Sequence, residues 1–203
     1  MLIELAQRVQ GILLKPRAEW IKIKEEFFPL IFQLYLSYVL ILAALPPLVE
    51  FLANLLYGGF RRPYSGWGWN VAAKSLLFSV VAYIFSLIVV YVAGKIINLL
   101  APLFSSRRNR LNSLKLAAYS LTPFWLGGLL YLVPRAGWIM RYIIALYGIY
   151  LLYAGLAASL METPREKVLK YWAVSGILAL ILIAGVEIIL RTLFAFWGVL
   201  RFA

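Results

Sequence analysis

The chain contains no cysteine and no histidine. Their absence removes disulfides, thiol nucleophiles, imidazole bases and Cys/His metal sites together. Charge is also scarce: 14% of the 203 residues are Asp, Glu, Lys or Arg, against about a quarter in a typical water-soluble domain. Apolar residues make up 64% of the chain, and mean hydropathy is +0.89. So much apolar side chain cannot be hidden inside one bundle of this length, and its natural counterpart is lipid. An ordinary buried-helix domain would need outer helices with a polar face, and the long segments have almost none.

The few charges are placed at the ends of apolar runs. Such runs lie between Glu26 and Glu50, Lys74 and Lys95, Lys115 and Arg135, and Arg141 and Glu162, and a last one runs from Tyr171 past Glu187 to Arg191. Each approaches the roughly 20 residues needed to cross about 30 Å of hydrocarbon. None carries a charge near its centre, where one costs about 3 kcal/mol on insertion scales. The expected fold is therefore all-α: a polytopic bundle of five transmembrane helices over residues 27–203. Ahead of it, residues 1–26 form a cytoplasmic amphipathic segment. There Leu2, Leu5, Val9, Ile12 and Leu13 recur at helical spacing, in a helix too short to span and suited to lying on the membrane surface. No cleaved signal peptide is expected, because Glu19, Glu25 and Glu26 precede the first long run.

The net charge of +12 would suggest nucleic acid in a soluble protein, but here the basic residues sit in tails and loops beside apolar runs. Anionic lipid headgroups are their ordinary partner there, and no nucleic-acid partner is expected. Arg8, Lys15, Arg17, Lys22 and Lys24 precede the first run; Lys95, Arg107, Arg108, Arg110 and Lys115 flank the second connection, and Arg165, Lys167 and Lys170 the fourth. The other side receives the smaller set, Arg61, Arg62, Lys74, Arg135, Arg141, Arg191 and Arg201. The positive-inside rule then puts the N-terminus in the cytoplasm and the C-terminus opposite. Tyr57–Asn70, rich in Gly and Trp, suits an interfacial loop on the far side. Thr163, Pro164 and Glu166 are in capping-box order, which predicts a helix starting near Pro164.

Helix interruptions are expected at Pro46 and Pro47, late in the first run, and at Pro123, in the middle of the third. Proline removes an amide donor and clashes with the preceding turn. Carbonyls freed at Pro123 could be met by Tyr119, Ser120 or Thr122, and such broken helices line binding sites in some transporters. Glu187 and Arg191 are one helical turn apart and can pair. By depth, Glu50, Lys74, Glu187 and Arg191 could form one polar cluster, with snorkelling of four unrelated side chains as the alternative. Gly127, Gly128, Gly148, Gly155, Ser159, Ser175, Gly176 and Ala179 permit close helix approach. No nucleophile–base pair, phosphate loop or dinucleotide fingerprint occurs, so neither catalysis nor a cofactor is expected.

Several stretches resemble the Yip domain family of small membrane proteins. They are RVQGILLKPRAEWIKIKEE (Arg8 to Glu26), YVLILAALPPLVEFL (Tyr38 to Leu52), LKLAAYSLTPFWLGGLL (Leu114 to Leu130) and YGIYLLYAGLAASLMETPREKVLKYWAVS (Tyr147 to Ser175). The chain is most similar to the family's bacterial branch, which implies a cell inner membrane location. The resemblance also implies five membrane helices and a cytoplasmic N-terminus. Eukaryotic members are associated with Rab GTPases, but this chain lacks their long polar N-terminal tail, so a Rab-type partner is not expected. The expected role is a non-enzymatic organiser or adaptor whose partners are membrane lipids, other membrane proteins or a second copy of itself. The alternative is a permease for a small solute or lipid through the proline-broken helices.

Overall fold

The computed structural model describes residues 2–26, 31–61, 69–133 and 137–196, and the regular structure among them is helical. Of the Tyr57–Asn70 loop expected at the interface, residues 62–68 lie outside the described residues, and residues 57–61 and 69–70 on either side of them are helical. Among the described residues four helices are long and apolar enough to cross a membrane: Phe32–Leu56, Ala72–Phe104, Ile139–Ala157 and Arg165–Phe194.

The first of these rods is not uniform. It is built from α3 (Ile31–Leu34), a π-helical stretch Tyr35–Val39, α4 (Leu40–Ala43) and α5 (Leu45–Arg61). The α-helical ladder is interrupted at Ala44, and Pro46 and Pro47 fall in the first turn of α5, where a missing N–H leaves no bond unmade. The carbonyl of Leu40 accepts instead from the Tyr83 hydroxyl at 3.1 Å. That tyrosine belongs to α6 (Trp69–Leu100), a second rod that is apolar on every side.

The third apolar run is divided into α7 (Arg110–Ser120), α8 (Thr122–Gly127) and a 3-10 turn Gly128–Leu132. The break falls at Leu121, and Pro123 sits in the first turn of α8. None of these pieces is long enough alone to cross a bilayer, which needs about 17 residues or more. The proline turn of α5 packs against the 3-10 turn that closes the third run. A Cβ on Gly128 would lie 2.6 Å from Pro46 Cα, so this glycine lets the 3-10 turn seat on the proline turn. Beside them the Tyr38 and Thr122 hydroxyls bond at 2.7 Å, and the Tyr38 and Tyr119 rings lie 4.5 Å apart.

Two further helices complete the bundle, α9 (Gly137–Ala157) and α10 (Arg165–Phe196). Gly148 of α9 faces the break at Leu121, where an added Cβ would stand 2.4 Å from the Ser120 carbonyl oxygen. Gly185 of α10 has nothing within 4 Å of its Cβ position. The two glycines therefore predict opposite signs. Gly148→Ala should cost about 1–3 kcal/mol because a backbone carbonyl cannot swing away. Gly185→Ala should be neutral or stabilise by up to about 1 kcal/mol through helix propensity. Thermal melts in one detergent check the pair, and equal destabilisation by both would contradict the packing described. α10 begins one residue after Pro164, and the Thr163 hydroxyl accepts from Ser106 at 2.9 Å rather than capping the helix.

The N-terminal segment forms two helices, α1 (Leu2–Leu14) and α2 (Pro16–Glu25), folded into a hairpin. The α1 stripe of Leu5, Val9, Ile12 and Leu13 packs against the protein's own core, with Ile12, Trp20 and Ile23 fully buried. Both helix C-termini are met by the bundle. Tyr147 of α9 donates to the Leu13 carbonyl at 2.9 Å, and Lys115 Nζ of α7 donates to the Ile23 and Glu26 carbonyls at 2.6 Å each. These carbonyls are among the last of their helices, which have no intrahelical donor. Arg8 pairs with both Glu19 and Glu26, which ties the two helices of the hairpin together, and Lys22 pairs with Glu19.

Candidate functional site

Polar groups are rare inside this bundle, and one cluster of them is concentrated at the ends of α9 and α10. Glu187 Oε1 accepts from Arg141 Nη2 at 2.7 Å, Tyr142 Oη at 2.8 Å, and Arg191 Nε and Nη2 at 3.1 and 2.9 Å. One carboxylate oxygen therefore faces two guanidinium groups and a phenol, an arrangement of charge-assisted bonds about twice as strong as neutral ones. Arg141 is only 4% exposed. Its guanidinium lies 4.6 to 5.5 Å from the centroids of Phe124, Tyr131 and Tyr142, a box of aromatic faces that suits a cation. Gly127 makes room for it: a Cβ there would stand 3.1 Å from Arg141 Cγ.

Two recesses meet at this cluster. The smaller, about 100 Å³, lies behind Pro46 and Pro47 and is lined by Glu50, Arg141, Glu187 and Arg191. Arg141 Nε, without a hydrogen-bond partner, belongs to this buried neighbourhood. Glu50 is within electrostatic range of Arg191 and Arg141, though no ion pair joins it to either among the described residues. The larger recess, about 450 Å³, is a groove between α9 and α10 floored by Ala117, Leu121 and Phe124. Its described polar lining consists of Tyr142, Glu187 and Arg191 at one end and Ser120 on the floor.

The residues singled out from the sequence are thus divided. Glu187 and Arg191 pair as their spacing allows, and Glu50 shares the small chamber with them. Lys74 is exposed and lines neither recess. Tyr119 and Thr122 are buried in the packing around Tyr38 and line neither recess, and Pro123 is buried at the start of α8. The small residues divide as well. Gly127, Gly128, Gly148 and Gly155 are pressed against neighbours, whereas Gly176, whose first contact would be Ile149 at 4.0 Å, borders the open groove with Ala179. Arg141 and Tyr142 were missed, because at the start of an apolar run they resemble ordinary end residues. The aromatic residues around them were the available signal.

A chain whose described regular structure is helical, with four helices of membrane-crossing length and composition among the described residues and its charges gathered at helix ends, is an integral membrane protein. The Yip1 domain family model matches residues 11–189, and the chain belongs to that family. The matched region takes in Glu50, Arg141 and Glu187 and ends just short of Arg191. No match was found among curated proteins or solved structures.

Proposed function

We propose that the protein is a non-enzymatic membrane organiser that works by holding lipids and neighbouring membrane proteins against its helices. In this reading residues 27–203 cross the cell inner membrane five times, with α7, α8 and the 3-10 turn together making the third crossing. Residues 1–26 then lie on the cytoplasmic side with the basic connections, and the C-terminus lies opposite. The supporting observation is the placement of free space. Pro46 on Gly128 and the Tyr38–Thr122 bond leave only the small chamber beside Pro46 and Pro47, while the roomy apolar recess opens between α9 and α10 with Leu121 on its floor.

A permease for a small solute is the second reading, favoured by Glu50 and the Arg141 side chain around the small chamber. At about 100 Å³ that chamber holds at most a few waters of about 30 Å³ each, too little for a metabolite.

The absence of cysteine makes a topology test clean. Single variants Arg108→Cys and Val133→Cys, both at exposed positions, should be labelled by a membrane-impermeant maleimide from opposite sides, Arg108→Cys from the cytoplasm. Labelling of both from one side would remove the third crossing. In parallel, purified protein in liposomes should leave proton leak, followed with an entrapped pH dye, at the level of empty vesicles. A leak that rises with protein content would replace the organiser reading with the permease.

A further inference from the structure

We propose that the groove between α9 and α10 binds one acyl chain of a phospholipid, with the lipid phosphate seated on Arg191 at its polar end. The inference deepens the organiser reading by naming a ligand class and the place that holds it.

The first argument is shape. The groove extends along α10 from Gly176 to Arg191, which at 1.5 Å per residue is about 22 Å. A volume of about 450 Å³ over that length leaves a mean cross-section of about 20 Å². A single hydrocarbon chain, with carbon contacts at about 3.5–4.0 Å, fits such a slot. A helix with its side chains is about 10–12 Å across and does not, so a second copy of this chain cannot lay a helix into it. The length also exceeds one leaflet of hydrocarbon, about 15 Å, so a full acyl chain is accommodated. The slot exists because α10 supplies Gly176, Ala179 and Ala184 where larger residues would close it. In a bilayer an open apolar slot does not stay empty, since its walls would forfeit their dispersion contacts.

The second argument is charge. At its polar end the groove presents Arg191 with its partner Glu187, while Arg141 and Glu50 line the small chamber behind them. Arg191 spends Nε and Nη2 on Glu187, which leaves Nη1 for an outside acceptor. Its side chain is 36% exposed, and the Tyr142 side chain is also exposed on the same rim. An apolar slot ending in a partly exposed guanidinium with an edge turned outward matches a phosphate joined to an acyl chain better than an uncharged lipid or a free cation.

Native mass spectrometry of the full chain tests this, after delipidation and titration with phosphatidylglycerol, phosphatidylcholine, diacylglycerol or inorganic phosphate. The expected result is retention of one phospholipid of either headgroup, with diacylglycerol held at least tenfold more weakly and inorganic phosphate unable to displace the lipid. Ala179→Trp, which fills the slot, should weaken phospholipid retention at least tenfold. Ala184→Leu supplies a second filling variant should Ala179→Trp unfold. Arg191→Gln should erase the preference for phospholipid over diacylglycerol while diacylglycerol binding stays unchanged. Retention unaffected by both filling variants overturns the proposal, as does equal retention of diacylglycerol by the unaltered protein. A dimer that the filling variants abolish, with no lipid retained, would assign the groove to a second copy instead. Loss of the lipid site with liposomes still tight to protons leaves the organiser reading standing, whereas leaking liposomes remove that reading.

Discussion

Glu187→Ala should be the most damaging single change at the polar cluster, lowering stability by about 3–5 kcal/mol. It takes the shared acceptor from Arg141, Arg191 and Tyr142 in one step. Arg141 is then left charged inside an aromatic box at 4% exposure, and stranding a buried charge is what makes such truncations expensive. Arg191, more than a third exposed, should find solvent or headgroups and contribute little to the loss. The double variant Glu187→Ala/Arg141→Met should recover much of the stability, because an apolar side chain of similar length suits the same box. Thermal melts of the wild type, both single variants and the double variant in one detergent form the cycle. Additive losses, or a Glu187→Ala effect within about 0.5 kcal/mol of zero, would mean that the cluster is no more than a surface ion pair.

Lys115→Met should loosen the N-terminal hairpin from the bundle at a cost of about 2–4 kcal/mol. Lys115 is completely buried, and its ammonium bonds the Ile23 and Glu26 carbonyls at 2.6 Å. Hydrogen bonds to a charged group contribute about 1.5–3 kcal/mol each, offset in part because the charge itself no longer has to be desolvated. Methionine keeps the volume and removes the donor. The loss should be local: amide exchange of residues 2–25 should accelerate many-fold while α6 and α10 keep their protection. Unchanged exchange in the hairpin would show that apolar burial of Trp20 and Ile23 suffices to hold it.

The hairpin also marks one limit of reading a sequence. The spacing of Leu5, Val9, Ile12 and Leu13 establishes an apolar face, but periodicity is silent on what that face meets. A membrane surface was the natural expectation, and the structure sets the stripe against the protein's core. What turns it inward is the bundle's offer of side chains to both hairpin helix ends, Tyr147 from α9 and Lys115 from α7. Those residues lie 134 and 92 positions from their partners, and no local pattern connects them. The third run is a different case. Pro123 is visible in the sequence as an interruption, whereas the seating of the 3-10 turn on the α5 proline turn, Gly128 on Pro46, depends on the arrangement of separate helices. The polar cluster shows the same division. Glu187 and Arg191 are legible as a pair because one helical turn carries both, while Arg141 joins them from 46 residues away. Lys74, grouped with them by depth alone, is exposed and lines neither recess.

By itself the sequence determined that this chain is helical and lives in a membrane, and that its charges gather at the ends of its apolar runs. These follow from composition along the chain, because transfer of a segment into hydrocarbon depends on that segment's own side chains. Tertiary structure decided which charges meet, which glycines carry close contacts and which leave a slot open to lipid. Those outcomes depend on the rotation and offset of one helix against another, set by the packing of many residues at once.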